Sequence, residues 1–165
     1  MMGRSNSGKS TLLNALLGMK TAHVSNTPGR TQRLNFFWVR DWYLVDLPGF
    51  GYARVPLTAK AAFGQAVDLY LTRRSQLTGA ILIQDIRRDP EDEEIMAKEW
   101  ALARNILFIV TANKVDKLNT RERRERSERL TALYGCPVYP ISAQKREGLD
   151  PVKQALTGLG LTGIS

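Results

Sequence analysis

Cysteine and histidine are almost missing from this 165-residue chain: Cys136 and His23 stand alone. A single cysteine excludes an internal disulfide framework and fits a reducing cytoplasm. Long hydrophobic runs are missing too. The longest uninterrupted aliphatic or aromatic stretch, Ile106 to Val110, has five residues, against the ~18 needed to span a bilayer. No secretory leader is visible, so a cytoplasmic protein without membrane contact is expected. Acidic residues are outnumbered: 16 Asp and Glu face 24 Lys and Arg, for a net charge of +8 and a pI near 9.9. Sixteen of the 24 basic residues are arginine. Its planar fork suits phosphate, so the bias favours an anionic partner such as nucleotide or RNA, though a solvated charged surface has the same composition. Hydrophobic residues make up 43%, a globular composition, and the length predicts one domain over residues 1–165.

Strand-like and helix-like segments alternate along the chain. Leu12 to Leu17 has helical spacing behind a glycine loop. Arg33 to Arg40 and Tyr43 to Leu47 read as strands, and the short Asp41-Trp42 link predicts a hairpin. Thr58 to Ser75 predicts a helix with Leu57, Ala61, Ala62, Ala66, Leu69 and Tyr70 facing inward. Ala80 to Gln84 and Asn105 to Ala112 are apolar runs of the kind buried parallel strands require. Pro90 and the four acids after it start a helix that reaches about Arg104. Thr120 to Tyr134 is a charged helix stopped by Gly135, Pro137 to Ser142 a last strand, and Leu149 to Leu156 the start of a terminal helix. This order predicts an α/β three-layer domain with a mostly parallel sheet.

Gly3-Arg4-Ser5-Asn6-Ser7-Gly8-Lys9-Ser10 fits G-x-x-x-x-G-K-[ST], a phosphate-binding loop. Its backbone N–H groups can curl around phosphate oxygens. Lys9 brings positive charge to the β and γ phosphates, and Ser10 offers a hydroxyl to Mg²⁺. The helix from Thr11 aims its positive end at the same anion. Such a loop normally hangs from a buried strand. Only Met1 and Met2 precede Gly3, so that strand is expected to be missing, leaving its sheet neighbours with unpaired backbone groups.

Asn113-Lys114-Val115-Asp116 follows the strand ending at Ala112. N-K-x-D there is the guanine-specificity motif of GTPases. Asp116 can accept hydrogen bonds from guanine N1–H and N2–H. Adenine offers neither donor, and the unpaired carboxylate would cost about 2–4 kcal/mol. Lys114 lays its stem along the base, and Asn113 ties the loop to its neighbours. Ile141-Ser142-Ala143, after the last strand, matches the loop that closes over guanine O6.

Asp46-Leu47-Pro48-Gly49 closes the strand from Tyr43. D-x-x-G there supplies a carboxylate toward Mg²⁺ and a glycine N–H for the γ-phosphate. Upstream lies Thr27-Pro28-Gly29-Arg30-Thr31-Gln32, whose Thr27 or, preferably, Thr31 can ligate Mg²⁺ and order with GTP. By itself that segment reads as an ordinary Pro-Gly turn. The five elements in this order identify a GTPase domain.

The sequence resembles the EngB family of bacterial GTPases, also called YihA or YsxC. The residues carrying the likeness are Gly3 to Leu16, Thr27 to Gln32, Asn35 to Phe37, Asp46 to Ala53, Ser142-Ala143 and Glu147 to Asp150. The resemblance makes Thr31 the switch threonine. It implies a Ras-like P-loop GTPase fold with one antiparallel edge strand, and Mg²⁺-dependent binding and hydrolysis of GTP to GDP. It also implies a role in assembling the large ribosomal subunit, needed for normal cell division and septation. DNA is not expected as a partner. The family carries a strand and leader before the loop that this sequence lacks. Its guanine motif usually starts with Thr where Asn113 stands here. On this resemblance Lys9, Thr31 and Gly49 serve catalysis, and Ser10, Thr31 and Asp46 hold the metal.

Many GTPases orient the attacking water with a Gln just after D-x-x-G. Phe50 stands there and cannot do so, which predicts slow turnover sped by a partner or a cation. In related GTPases an Asn at the Asn6 position helps hold K⁺ beside the phosphates; bracing of the loop is an equal reading. A nucleotide-binding module without catalysis is the alternative function, and the G domain of a tRNA-modification or iron-transport protein a third. Arg121, Arg123, Arg124, Arg126 and Arg129 alternate with Glu122, Glu125 and Glu128, which predicts a solvated, ion-paired helix. An RNA-facing patch extended by Arg73-Arg74 and Arg87-Arg88 is the sharper alternative. His23 reads as a polar loop residue, Cys136 as a buried thiol, and Trp38, Trp42 and Trp100 as packing residues.

Overall fold

The computed structural model describes residues 1–18, 34–49 and 69–161. The segment Thr27 to Gln32, with Gly29, Arg30, Thr31 and Gln32, lies outside the described residues, as do His23 and Phe50. So does most of the helix expected from Thr58; its end, residues 69–73, is helical. There Tyr70 packs on the core, but Leu69, expected to face inward, is 52% exposed.

Met2–Gly3 forms β1, and Lys9–Leu17 forms α1. Asn35–Val39 (β2) and Trp42–Asp46 (β3) make an antiparallel hairpin, paired from Asn35 with Asp46 to Val39 with Trp42. Its link is therefore Arg40-Asp41, one residue earlier than expected, with Arg40 in the left-handed region at φ 54°. Then follow Gly79–Asp85 (β4), Asp92–Leu102 (α2), Leu107–Asn113 (β5), a 3₁₀ turn at Val115–Lys117, Thr120–Tyr134 (α3), Val138–Ile141 (β6) and Asp150–Thr157 (α4). Strands β1, β4, β5 and β6 form one parallel sheet in that order.

A two-residue strand before the phosphate loop is therefore present. Met2 pairs with Leu82 and Gly3 with Ile83. The expectation of a wholly missing strand is corrected to that extent: Met1 also accepts from Leu47 N–H at 2.9 Å and donates from its ammonium to Val45 O at 2.6 Å. These two bonds are a parallel ladder, so the stub stitches β3 to β4. Beyond it, between β3 and β4, lies an apolar cavity of about 380 Å³ lined by Val45, Leu47, Tyr70, Leu77, Ala80 and Ile81.

Alternation along the buried strands makes two cores. Ile81, Ile83 and Ile109 pack with Leu12, Leu13 and Leu16 of α1 and Val152 and Leu156 of α4. Ala80, Leu82 and Val110 face the other way, onto Ala101 of α2 and Leu130 and Tyr134 of α3. This is the three-layer sandwich the alternation predicts. Each fully buried Leu or Ile contributes about 1.5–3 kcal/mol of burial.

Helix ends obey their capping residues. Asn119 caps α3: its Oδ1 accepts from Glu122 N–H at 3.0 Å while Glu122 accepts from Asn119 N–H at 2.9 Å. Gly135 ends it in the left-handed region at φ 60°. Charged pairs along α3 are the expected ones, Arg121 with Glu125 at 2.7 Å and Arg124 with Glu128 at 3.9 Å. Arg126 and Arg129 instead grip Asp89 after β4. Trp42 and Trp100 pack on the cores. Trp38, expected to pack, is 69% exposed. Cys136 is half-buried, and burial raises its thiol pKa. No helix among the described residues is long and apolar enough to cross a membrane.

Candidate functional site

The loop from Gly3 to Ser10 sits at the carboxyl end of β1, directly before α1. Its backbone needs conformations that side chains resist: Gly3 has φ +154° and Gly8 φ +102°. A Cβ on Gly3 would lie 2.5 Å from Ile83 O, and one on Gly8 would lie 2.2 Å from Asn113 Nδ2. Asn6 also takes a positive φ, 64°. Ser7 N–H donates to Arg4 O at 3.1 Å and closes the curl. The side chain of Arg4 leaves the loop to pair with Glu91 at the start of α2. Ser5, Ser10 and Thr11 complete the loop and the first turn of α1.

β3 delivers the second set. Asp46 is buried at 2% exposure, and among the described residues its Oδ1 has no hydrogen-bond partner. Burial raises the Asp46 pKa, against the pull of Lys9 and the Met1 ammonium. Burial likewise lowers the Lys9 pKa, with Asp46 opposing it. Leu47 and Pro48 carry the chain to Gly49, which lies against the phosphate loop. A Cβ there would stand 2.9 Å from Ser5 N and 3.0 Å from Lys9 Nζ. A buried carboxylate oxygen without a donor suits a hard cation that takes oxygen ligands. Among the described residues no group of three His, Cys, Asp or Glu could hold a metal on its own. A cation bound through one carboxylate, hydroxyls and substrate phosphates is the arrangement these donors fit.

β5 delivers the third set. Asn113 Nδ2 donates to Ser7 O at 2.8 Å, and Asn113 Oδ1 accepts from Ala143 N–H at 2.9 Å. One buried amide thus joins the phosphate loop to the loop after β6. Lys114, at φ 75°, reaches back to Asn6 O at 2.6 Å. Val115 buries itself in the core. Asp116 Oδ1 accepts from Ser142 Oγ at 2.7 Å, and Lys117 Nζ stands 3.4 Å from Oδ2. Burial opposes charge on Asp116, but the bonds from Ser142 and Lys117 outweigh it and hold the carboxyl below the usual range. Ile141 ends β6; Ser142 then exchanges two 3.0 Å backbone bonds with Glu147. Arg146 donates to Ala15 O at 3.0 Å and pins that loop to α1.

Sequence reasoning missed Asp85. It ends β4, is 8% exposed, and pairs with Lys114 at 3.0 Å and with Arg87 at 2.7 Å. Arg87, grouped above with a possible RNA patch, is thereby engaged on the nucleotide side. Its only sequence signal is position: an acid at the end of a buried strand, next to the loop where Lys114 follows β5.

A family model described as 50S ribosome-binding GTPase matches residues 1–125. A "Probable GTP-binding protein EngB" of Syntrophomonas wolfei is 40% identical, over 96% of this chain and 84% of that protein. Another of that name, from Citrifermentans bemidjiense, is 46% identical over 91% of this chain and 72% of its own length. Among solved structures, a "probable GTP-binding protein engB" superposes with a TM-score of 0.77 at 22% identity, covering 96% of this chain and 95% of that one. Era of Aquifex aeolicus bound to GDP and AlF₄⁻ superposes at 0.72 with 24% identity, covering 97% of this chain and 55% of its own. These two show the fold. With a family model over most of its length and relatives this similar, the chain belongs to the EngB family of GTP-binding proteins and is a GTP-hydrolysing P-loop enzyme.

Proposed function

We propose that residues 1–165 form one guanine-nucleotide domain that acts as a switch during assembly of the large ribosomal subunit. The observation that carries the nucleotide reading is the Asn113 amide, which links Ser7 of the phosphate loop to Ala143 of the base loop. Phosphate-binding and base-binding halves are thereby one rigid unit. Amides from Gly3 to Thr11 wrap the phosphates, with Lys9 among them. Asp116 accepts the two guanine donors, Lys114 flanks the base, and the loop at Ser142-Ala143 closes near O6.

Ser10, Asp46 and Thr31 would hold Mg²⁺. Bound there, it would supply positive charge that offsets the charge of the phosphates. Lys9 adds a cation whose charge burial disfavours and Asp46 favours. Gly49, pressed on Ser5, presents its N–H to the γ-phosphate. Gly29, Arg30, Thr31 and Gln32 order around that phosphate and release it after hydrolysis. Phe50 cannot orient the water, so turnover is slow without help. Asn6 holding K⁺ beside the phosphates is the help we propose. The family description names the 50S subunit, and a +8 chain suits an RNA-rich partner. Cell division and septation would depend on the protein through that subunit. The whole cycle is assigned to the cytoplasm.

Single-turnover hydrolysis with Mg²⁺ tests the switch, run in KCl and in NaCl. Faster cleavage in KCl supports the Asn6 role; equal rates remove it. Sedimentation with large subunits should retain the protein loaded with a GTP analogue and release it with GDP. Equal retention in both states contradicts a switch.

A further inference from the structure

Asp85 accepts more than its own charge requires. Its Oδ1 takes Arg87 N–H at 3.1 Å and Arg87 Nε at 2.9 Å, and its Oδ2 takes Arg87 Nη2 at 2.7 Å. Arg87 alone therefore satisfies this buried carboxylate. Yet Lys114 Nζ also sits 3.0 Å from Oδ2 while it donates to Asn6 O at 2.6 Å. Lys114 takes this position with a left-handed backbone, φ 75°, that disfavours a non-glycine residue. The far side of Asp85 is held equally firmly. Gln84, buried beside it, donates to Asp85 O at 3.2 Å and to Arg88 O at 3.1 Å, and accepts from Tyr134 OH at 2.9 Å. The Asp85 backbone is thus held by the sheet and, through Gln84, by α3; Arg87 orients its carboxylate, and the carboxylate holds Lys114.

We propose that Asp85 is a positioning residue of the guanine site, which locks Lys114 across the gap between β4 and the phosphate loop so that its stem forms a preset wall for the base. This rests on the guanine reading of Asn113, Lys114 and Asp116. Two cations on one carboxylate also leave a surplus positive charge at the site. Without Asp85, Lys114 keeps, among the described residues, only the Asn6 carbonyl and recovers the rotamer freedom of a long side chain. The base wall is then assembled only on binding.

The test is a double-mutant cycle on the full chain, with a fluorescent GDP analogue as probe. Asp85→Asn should weaken binding about tenfold, chiefly through faster dissociation. Its kcat at saturating GTP should stay within about twofold of the parent, since no group on the γ-phosphate has changed. Lys114→Met should lose at least as much. The double variant should match Lys114→Met within about twofold, because Asp85 acts through Lys114. Arg87→Ala should stay within about threefold of the parent. Unchanged affinity in Asp85→Asn overturns the proposal, as does a double variant whose loss is the product of the single losses. Should Asp85→Asn not fold, Lys114→Met and Arg87→Ala still decide: a larger loss from Arg87→Ala overturns it. A parent that binds no guanosine nucleotide overturns the guanine reading itself; a parent that binds beside an unaffected Asp85→Asn overturns only the role of Asp85.

Discussion

Ser142 Oγ donates to Asp116 Oδ1 over 2.7 Å, joining the loop after β6 to the loop after β5. The bond leaves one lone pair of that oxygen for a ligand, together with the part of Oδ2 that Lys117, 3.4 Å away, does not take, and it keeps the carboxylate charged. Ser142→Ala should raise the Asp116 pKa toward its ordinary 3.8. Loss of one hydrogen bond to a charged group costs about 1.5–3 kcal/mol, so GDP should bind about 10- to 100-fold more weakly. Isothermal titration of the variant checks this, and ATP affinity should not improve.

Gly49 and Gly8 each leave space for something else. A Cβ on Gly49 would press on Ser5 N and Lys9 Nζ at 2.9 and 3.0 Å. Gly49→Ala should therefore lower single-turnover GTP hydrolysis by about tenfold or more while GDP binding falls less, since only the γ-phosphate side is disturbed. Gly8→Ala strikes Asn113 Nδ2 at 2.2 Å, with φ +102° besides. It should destabilise the fold by about 1–3 kcal/mol and lose both nucleotides together. Denaturant melts and nucleotide titrations separate the two outcomes.

Asp85 gives the folded protein a pH signature. Burial alone would raise its pKa, but Arg87 and Lys114 pull it well below the ordinary 3.8. A carboxyl with a depressed folded pKa adds stability that is fully present above its unfolded value and lost as pH falls below it. At neutral pH Asp85→Asn should therefore cost about 1.5–3 kcal/mol. The gap between parent and variant should close as pH drops below about 4. Melting curves from pH 3 to 7, taken as about 0.5-unit steps, would contradict this if the gap were constant.

Much of this was readable before the structure, and the reasons differ by element. Buried strands such as Ala80–Gln84 declare themselves because both faces must be apolar, and helix stops such as Gly135 because a left-handed residue favours glycine. The phosphate loop was legible because glycine spacing is a local demand of the backbone. Asp85 was not, because its meaning comes from a pairing with Lys114, 29 residues on and two strands' ends apart. Trp38 misled because residue type says nothing about which face of a hairpin meets the core. Register decides that: Phe37 and Leu44 turn inward, so Trp38 and Tyr43 turn out. The two residues of β1 were too few for any pattern, yet Leu82 and Ile83 supply their pairing.

That register has a measurable consequence. Leu12 is fully buried and Trp38 is 69% exposed. Leu12→Ala should cost about 2–5 kcal/mol, whereas Trp38→Ala should stay within about 1 kcal/mol despite removing the larger side chain. Urea denaturation of both variants checks the ranking, and a reversed order would refute the placement of the hairpin.

The most direct measurement is competition at equilibrium. The protein is loaded with a fluorescent guanosine diphosphate in Mg²⁺ and K⁺, then titrated with GTP and, separately, with ATP. Because the acceptor capacity Asp116 has left suits the N1–H and N2–H of guanine, donors that adenine lacks, GTP should displace the probe at least about 100-fold more effectively than ATP. Equal displacement by ATP would contradict the central claim that this carboxylate selects the base.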